Sequence, residues 1–596
     1  MSRRALERPG RREPERRRLP RLALTALALL GLGGLAAPRA CAPKRSLAGL
    51  RIEVTFPPAL RAMPADGRVL LILSTSAGTE PRFQVAEGPE SQQIFGLDAH
   101  GLAPGEPAVF DGRTLGYPRA SLAALPAGKY TVQAVLNLYE TFHRADGKAV
   151  ELHADHGEGQ RWSDSPGNLL SAPVQMTLDP ARRPLVRIAF DRIVPPVVLP
   201  PDSRYVQHVT MVSPLLSQFW GRPVELGAFV LLPDGFAAHP QARYPAVYYY
   251  GHFANEFATP GGFLESRPPI FLPADQEVLQ SYAYRLYRDW TGGHMPRMLV
   301  VSLQHPNPYY DDSYGVNSAN LGPYGDALAQ ELVPYVEKRF RAIGEPWARA
   351  VYGDSTGGWA ALAQQVFHPE TYNGVWALCP DPVDFRAFQT TDLYRDANVY
   401  WRQGLTGRVA RPDSRGLDDG VLTTVEAMNR LERVLGSRGR SGDQFDAWEA
   451  VYGPAGEDGY PKPAWDKATG GIDPAVAAYW REHYDLTHVL ERDWRTLGPH
   501  LAGKIHVTVG EKDSFYLDGA VRLLARFLAG TREAGRGPFY AGSVDIGAGQ
   551  PHCYTGDPAT DVTGARLSVN QRLLPQIERR MLETAPAGAD VTSWRY

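Results

Sequence analysis

The sequence predicts an α/β architecture: a mostly parallel β-sheet covered by helices on both faces, preceded by a smaller β-sandwich. Three observations carry this. From about residue 203, short apolar runs alternate with stretches of helical periodicity, the pattern of a sheet buried on both sides. Residues 47–195 instead hold short runs rich in Val, Leu, Ile and Tyr, separated by Pro, Gly and Asp clusters. The chain has 596 residues, more than the roughly 250–300 that one hydrophobic core sustains, so two or more domains are expected.

The N-terminus stands apart. Residues 1–42 contain ten arginines and three glutamates, followed by the apolar run Leu22–Ala37. A charged segment, an apolar stretch too short for a comfortable span and Ala40-Cys41-Ala42 together read as an export signal cleaved after Ala42. Arg16-Arg17-Arg18-Leu19 points to a twin-arginine signal. Cys41 offers a lipid anchor as the alternative, although Pro38-Arg39-Ala40 is a poor lipobox. The expected location is periplasmic or secreted, with no stable membrane span in the mature chain. The whole chain carries 63 basic and 65 acidic residues, and removing the signal leaves 53 and 62, a net charge of −9. A mildly acidic protein lacks the footprint of a nucleic-acid binder.

The β-rich segment includes Leu50–Phe56, Val69–Thr75, Tyr130–Thr141 and Val174–Leu178. Leu125-Pro126-Ala127-Gly128-Lys129-Tyr130 places a turn before a strand that opens on Tyr, the arrangement of a tyrosine corner in an immunoglobulin-like domain. Val194–Pro201 is a stiff, proline-rich linker.

Residues 203–596 supply the α/β domain. Val206–Ser213, Val224–Leu232, Tyr244–Tyr250, Met298–Leu303, Ala348–Tyr352, Val375–Leu378, Ile505–Val509 and Ser543–Ile546 read as strands. Gly325–Phe340 has helical spacing, with Pro334 expected to kink it. Residues 386–500 break the rhythm. They are charged, Gly-rich and aromatic-rich, and form an insertion, either a cap over a site or a surface subdomain.

Gly353-Asp354-Ser355-Thr356-Gly357 contains G-x-S-x-G. With 59 glycines in the chain the motif alone decides little; its setting decides more. A strand-like run precedes it, and the helical run Trp359–Phe367 follows. Strand, Gly-flanked turn and helix form the nucleophile elbow of an α/β-hydrolase. Ser355 is then the nucleophile. Such a serine needs a base and an orienting acid, in the chain order Ser, acid, His. Asp513 follows the Ile505–Val509 strand, and His552 lies in a Gly-rich loop after Ser543–Ile546. Glu511, Asp381 and Asp384 are rival acids. The oxyanion hole requires two N–H donors, one from Thr356 and one from the turn after Tyr250, at His252 or Phe253.

Together these residues resemble the putative esterase family that includes enterochelin esterase, esterase D and the mycolyltransferases. The resemblance rests on Tyr244–Tyr248 with Gly251-His252, on Glu331–Phe340 and on Gly353–Trp359, and it spans roughly residues 205–580 without the insertion. The turn reads Tyr250-Gly251-His252 where relatives commonly have His-Gly. The resemblance implies ester hydrolysis or acyl transfer without a metal or other cofactor.

The loop Pro306–Tyr314 follows a core strand, and Tyr309, Tyr310 and Tyr314 are candidates to stack on a sugar or phenolic ring. Asp311-Asp312 lacks the ligand pattern of a calcium site. Cys379 follows the strand after the elbow helix and Cys553 follows His552, so both are expected at the catalytic face, where export favours a disulfide and two buried thiols that merely pack are the alternative. The leading reading is a serine hydrolase that cleaves a small-molecule or glycan ester through an acyl-enzyme. The alternatives are an acyltransferase to a sugar acceptor and a non-catalytic carbohydrate- or surface-binding protein on the same scaffold.

Overall fold

Eight strands organise the α/β region: β1 (Val206–Val212), β2 (Glu225–Leu231), β3 (Ala246–Tyr250), β4 (Leu299–Gln304), β5 (Arg349–Asp354), β6 (Val375–Leu378), β7 (Ile505–Lys512) and β8 (Ser543–Pro551). Their order across the sheet is β1-β2-β4-β3-β5-β6-β7-β8. β2 pairs antiparallel with β1 and with β4, and every pairing from β4 across to β8 is parallel. The computed structural model describes residues 49–596 apart from 89, 154–160, 183, 252–256, 258–261, 270–271, 534, 536 and 558–566. The expected signal at 1–42, with Cys41, lies outside the described residues. Among the described residues no helix is long and apolar enough to cross a membrane.

The central strands are apolar throughout because both faces are covered. On β3, Ala246, Tyr248 and Tyr250 enter one core cluster while Val247 and Tyr249 enter another. On β5, Val351 joins the first, and Ala350 and Tyr352 join the second. Alternate side chains of a strand point to opposite faces, so a two-sided core demands an unbroken apolar run.

The helix expected at Gly325–Phe340 forms, but its response to Pro334 differs from a simple kink. Tyr324–Ala327 and Val333–Arg339 are α-helical, and Leu328–Leu332 between them is a π turn. Pro334 has no N–H to donate and its ring crowds the preceding turn; the widened turn accommodates both.

The β-rich region holds a three-stranded sheet of Leu185–Ala189, Arg51–Thr55 and Ala108–Phe110, and a larger sheet centred on Ala65–Ser74 and Gly128–His143. Ile52, Val54 and Ile188 of the small sheet share a core with Val69, Leu71 and Val132 of the large one. Tyr130 donates its hydroxyl to the Pro126 carbonyl at 2.8 Å, pinning the turn to the strand it opens.

Residues 386–500 contain α2 (Val425–Leu435), α3 (Gln444–Tyr452), α4 (Pro474–His483) and α5 (Leu486–Leu501), which follow α1 (Thr356–Phe367) in the chain. This insertion joins both neighbours. Leu431, Val434 and Leu435 of α2 pack on Leu70, Ile72, Ile94 and Val135 of the large N-terminal sheet. Arg68 donates to the Arg433 and Val434 carbonyls at 2.8 and 2.9 Å, caging the end of α2. On its other side Tyr452 packs against Trp359 of α1, ring centroids 5.0 Å apart. Residues 48–596 accordingly form one compact unit.

Candidate active site

The serine sits where β5 passes into α1, with φ +55° and ψ −121°. A non-glycine residue holds that conformation only where its surroundings enforce it. Here the flanking glycines make the turn possible. A Cβ on Gly357 would meet the Tyr250 carbonyl oxygen at 1.8 Å, and one on Gly353 would meet the Gly357 oxygen at 2.3 Å. The backbone therefore passes too close to β3 for any side chain, which is the physical content of the two outer positions of G-x-S-x-G. The Ser355 N–H donates to the Leu378 carbonyl at 3.0 Å, and the Ser355 carbonyl accepts from Asp381 at 3.2 Å, so the turn is tied to the end of β6.

Thr356 opens a twelve-residue helix. The first N–H groups of a helix have no intrahelical partner, and they carry the positive end of its dipole. Thr356 is buried, and its hydroxyl donates to Asp381 Oδ2 at 3.2 Å. The other oxyanion candidates, His252 and Phe253, lie outside the described residues.

Asp513 and His552 meet. The carboxylate Oδ2 lies 2.7 Å from His552 Nδ1. Asp513 is fully buried, and its Oδ1 accepts from the backbone N–H of Phe515 at 2.9 Å. The Leu517 N–H lies 3.4 Å from the same oxygen, and these two backbone donors leave Oδ2 for the ring nitrogen. The Phe515 ring stands edge-on to the imidazole at 5.1 Å and limits its rotation. Burial pulls the His552 pKa down, but the Asp513 carboxylate and the Cys553 sulfur outweigh it and push the value well above 6.5.

The rival acids are engaged elsewhere. Asp384 is buried in a bidentate pair with Arg386. Glu511 is exposed and accepts from the Gly549 N–H at 3.0 Å. Asp381 Oδ2 accepts from the Tyr314 hydroxyl at 2.8 Å and from the Trp448 indole at 3.1 Å, besides Thr356. Sequence reasoning ranked Asp381 only as an acid. The structure gives it another place: its carboxylate links Thr356, the residue after Ser355, to α3 of the insertion.

Two expectations are corrected. Tyr309, Tyr310 and Tyr314 are 2%, 5% and 0% exposed and belong to the core, so their faces do not line an open groove. The loop turns inward because Asn307 organises it, accepting from the Tyr309 and Tyr310 N–H groups and donating to the Asp312 carbonyl. Tyr314 touches the elbow, its hydroxyl 3.3 Å from the Thr356 hydroxyl. The predicted disulfide is the second. Cys379 and Cys553 do come together beside His552, but as free, hydrogen-bonded thiols. The sulfurs are in contact and not at the roughly 2.05 Å of a bond. The Cys379 thiol, with His552, holds the Cys553 pKa down to about 5, while burial pushes Cys379 up.

Residues 321–518 match the family model described as putative esterase, over the segment that carries the elbow, the insertion and Asp513. A search of curated proteins finds no match. Solved structures similar to this chain include a ferulic acid esterase, at 16% identity and a TM-score of 0.35, covering 63% of this chain and 98% of that one. An S-formylglutathione hydrolase from Agrobacterium tumefaciens is 12% identical with a TM-score of 0.30, covering 64% of this chain and 97% of that one. The fluorophosphonate-binding serine hydrolase F of Staphylococcus aureus is also 12% identical, with a TM-score of 0.29 and coverage of 63% and 98%. Likenesses this distant say nothing of the substrate.

Proposed function

We propose that this chain, whose residues 321–518 resemble the putative esterase family, is a carboxylic ester hydrolase that works through Ser355, His552 and Asp513. His552 Nε2 takes the Ser355 proton as Oγ attacks the ester carbonyl. The same proton then passes to the leaving alcohol, and an acyl-enzyme remains. Water, deprotonated by His552, attacks the acyl carbon and releases the acid with free Ser355. Asp513 keeps the proton of the neutral ring on Nδ1 and stabilises the imidazolium that forms. The Thr356 N–H, aided by the α1 dipole, stabilises the oxyanion. A second donor would come from the segment after Gly251, where His252 and Phe253 stand.

Two observations support this reading: the 2.7 Å contact between Asp513 and His552, residues 39 apart in sequence, and the strained turn that Ser355 holds after β5. We read the β-rich residues 47–195 as a sandwich and residues 1–42 as an export signal, so the enzyme would act in the periplasm or outside the cell. Turnover of a panel of aryl, sugar and siderophore esters by the mature protein and its Ser355→Ala variant tests the activity. The variant should lose several orders of magnitude in kcat with its fold intact. Near-normal turnover in that variant would refute the assignment. Release of free acid from the wild type, against acylated sugar when a sugar acceptor is supplied, separates hydrolysis from transfer.

A further inference from the structure

Two thiols stand against the imidazole that the proposed reaction uses as its base, and that reaction needs neither of them. Donor atoms of Cys379, His552 and Cys553 all lie within 4.8 Å of one another. Cys379 is fully buried and Cys553 is 6% exposed, while the His552 side chain keeps 16% exposure, a route in from solvent. Both cysteines have positive φ, +35° and +62°, backbone angles that a non-glycine residue adopts only when the structure around it insists. The fold thus spends strain at two positions to gather three donors of the kind that soft and borderline cations prefer.

We propose that Cys379, Cys553 and His552 form a binding site for a thiophilic divalent cation of the zinc and cadmium class, and that occupancy of this site and ester turnover exclude each other. The exclusion, though not the site, rests on reading His552 as the catalytic base. Tetrahedral coordination with metal–sulfur bonds of about 2.3 Å and metal–nitrogen bonds of about 2.0 Å sets the sulfurs about 3.8 Å apart and each sulfur about 3.5 Å from nitrogen. The donors therefore close by no more than about 1.3 Å. Each thiol gives up its proton to solvent as it ligates. Three protein ligands leave the fourth position to water. If Nε2 ligates, Asp513 on Nδ1 becomes the carboxylate that orients a metal-bound histidine. If Nδ1 ligates, the cation displaces Asp513. In either case the imidazole is no longer free to take the Ser355 proton with its acid partner in place.

The test titrates the reduced, metal-free full chain with Cd²⁺, following sulfur-to-cadmium charge-transfer absorption and metal content together with ester hydrolysis. The wild type should take up one Cd²⁺ per chain, and Ser355→Ala should do the same, since the serine is not a ligand. Cys379→Ala and Cys553→Ser should each weaken binding by roughly tenfold or more, the order lost even when an outer-shell partner is removed. Wild-type hydrolysis should fall in step with occupancy and return on adding a chelator. Cys379→Ala should still hydrolyse ester and should resist Cd²⁺ correspondingly better; Cys379→Ser provides the same comparison if the alanine variant does not fold. Absence of stoichiometric uptake, or uptake that survives both cysteine substitutions, would overturn the site. Full occupancy with undiminished turnover would overturn the exclusion. Stoichiometric uptake by a protein that hydrolyses no ester would support the site and defeat the esterase reading instead.

Discussion

Strands β3 and β5 and the aromatic interior of the insertion at 386–500 are both buried, and they are held by different forces. The strands are fixed by backbone ladders to neighbours on both sides, and their side chains need only be apolar and of suitable size. The insertion has no such ladder to the main sheet. Its interior is a cluster of rings, in which Phe388 packs edge-on to Trp448 at 4.9 Å and Tyr452 meets Trp480 at 5.3 Å. Beside the rings, Lys467 lies 3.2, 3.1 and 3.4 Å from Glu432, Asp446 and Glu449, one cation among three buried carboxylates. Backbone ladders tolerate many sequences; a ring cluster and a buried charge group depend on individual side chains. The strand set should therefore absorb substitutions that the insertion does not, while the proposed catalytic residues, which follow β5, β7 and β8, should fail by chemistry before they fail by folding.

The largest effect is chemical. Asp513→Asn should lower kcat by about 10⁴, the loss seen when a triad histidine takes the wrong tautomer, while stability changes little. Glu511→Gln, at an exposed position near the end of β7 and two residues before Asp513, should leave kcat within a few-fold. Steady-state kinetics on the two variants decide between them, and the reverse ranking would move the acid.

Lys467→Met leaves three buried carboxylates without their cation and should destabilise the protein by about 3–5 kcal/mol at pH 8, read from denaturant midpoints. The pH dependence has a definite sign. Burial raises Glu449 to about 7 against the pull of Lys467, and it raises Glu432 as well. A carboxyl whose folded pKa lies above its unfolded value favours the folded state when protonated, and that contribution is lost as pH climbs through the interval. The deficit of Lys467→Met should thus be greatest above pH 7 and shrink towards pH 5. A deficit independent of pH would mean that packing, not charge, holds the cluster.

Gly96→Ala probes the seam between the insertion and the β-rich region. Its Cβ would sit 1.9 Å from the Val434 carbonyl oxygen, where α2 rests on the sheet. A loss of about 1–3 kcal/mol is expected, as for other overpacked sites, whereas Gly530→Ala, with nothing within 4 Å, should be near neutral. Equal stabilities would show that the seam is loose. The smallest effect is electrostatic. The Cys553 sulfur helps to raise His552, so Cys553→Ala should shift the acid limb of kcat/KM to lower pH. A shift to higher pH would contradict the sign of that interaction.

The parts that were legible in the sequence share one property: their cause is local. The central strands of the large sheet were visible because two-sided burial writes an unbroken apolar run, whereas the edge strands β1 and β8 are partly exposed and carry polar residues. The elbow at Ser355 was visible because a turn in which added Cβ atoms would lie 1.8 and 2.3 Å from carbonyl oxygens must be glycine on either side. Asp513 and His552 followed from the order of post-strand loops. The loop Pro306–Tyr314 was misplaced because nothing in its composition separates a ring that faces a groove from one turned inward by Asn307. The docking of α2 on the N-terminal sheet was invisible for a related reason: Arg68 and Val434 lie 366 residues apart, and no periodicity reports a contact of that range. The cysteines mark the boundary, since their meeting was readable from strand ends and their oxidation state was not.

The account turns on one claim, that Ser355 is a nucleophile activated by His552. A fluorophosphonate probe, followed by digestion and mass spectrometry, addresses it directly. The mature protein should gain a single adduct, carried by the peptide that contains Ser355, and His552→Ala should slow labelling by orders of magnitude without unfolding the chain. A protein that stays unlabelled, or an adduct on any other residue, would contradict the claim.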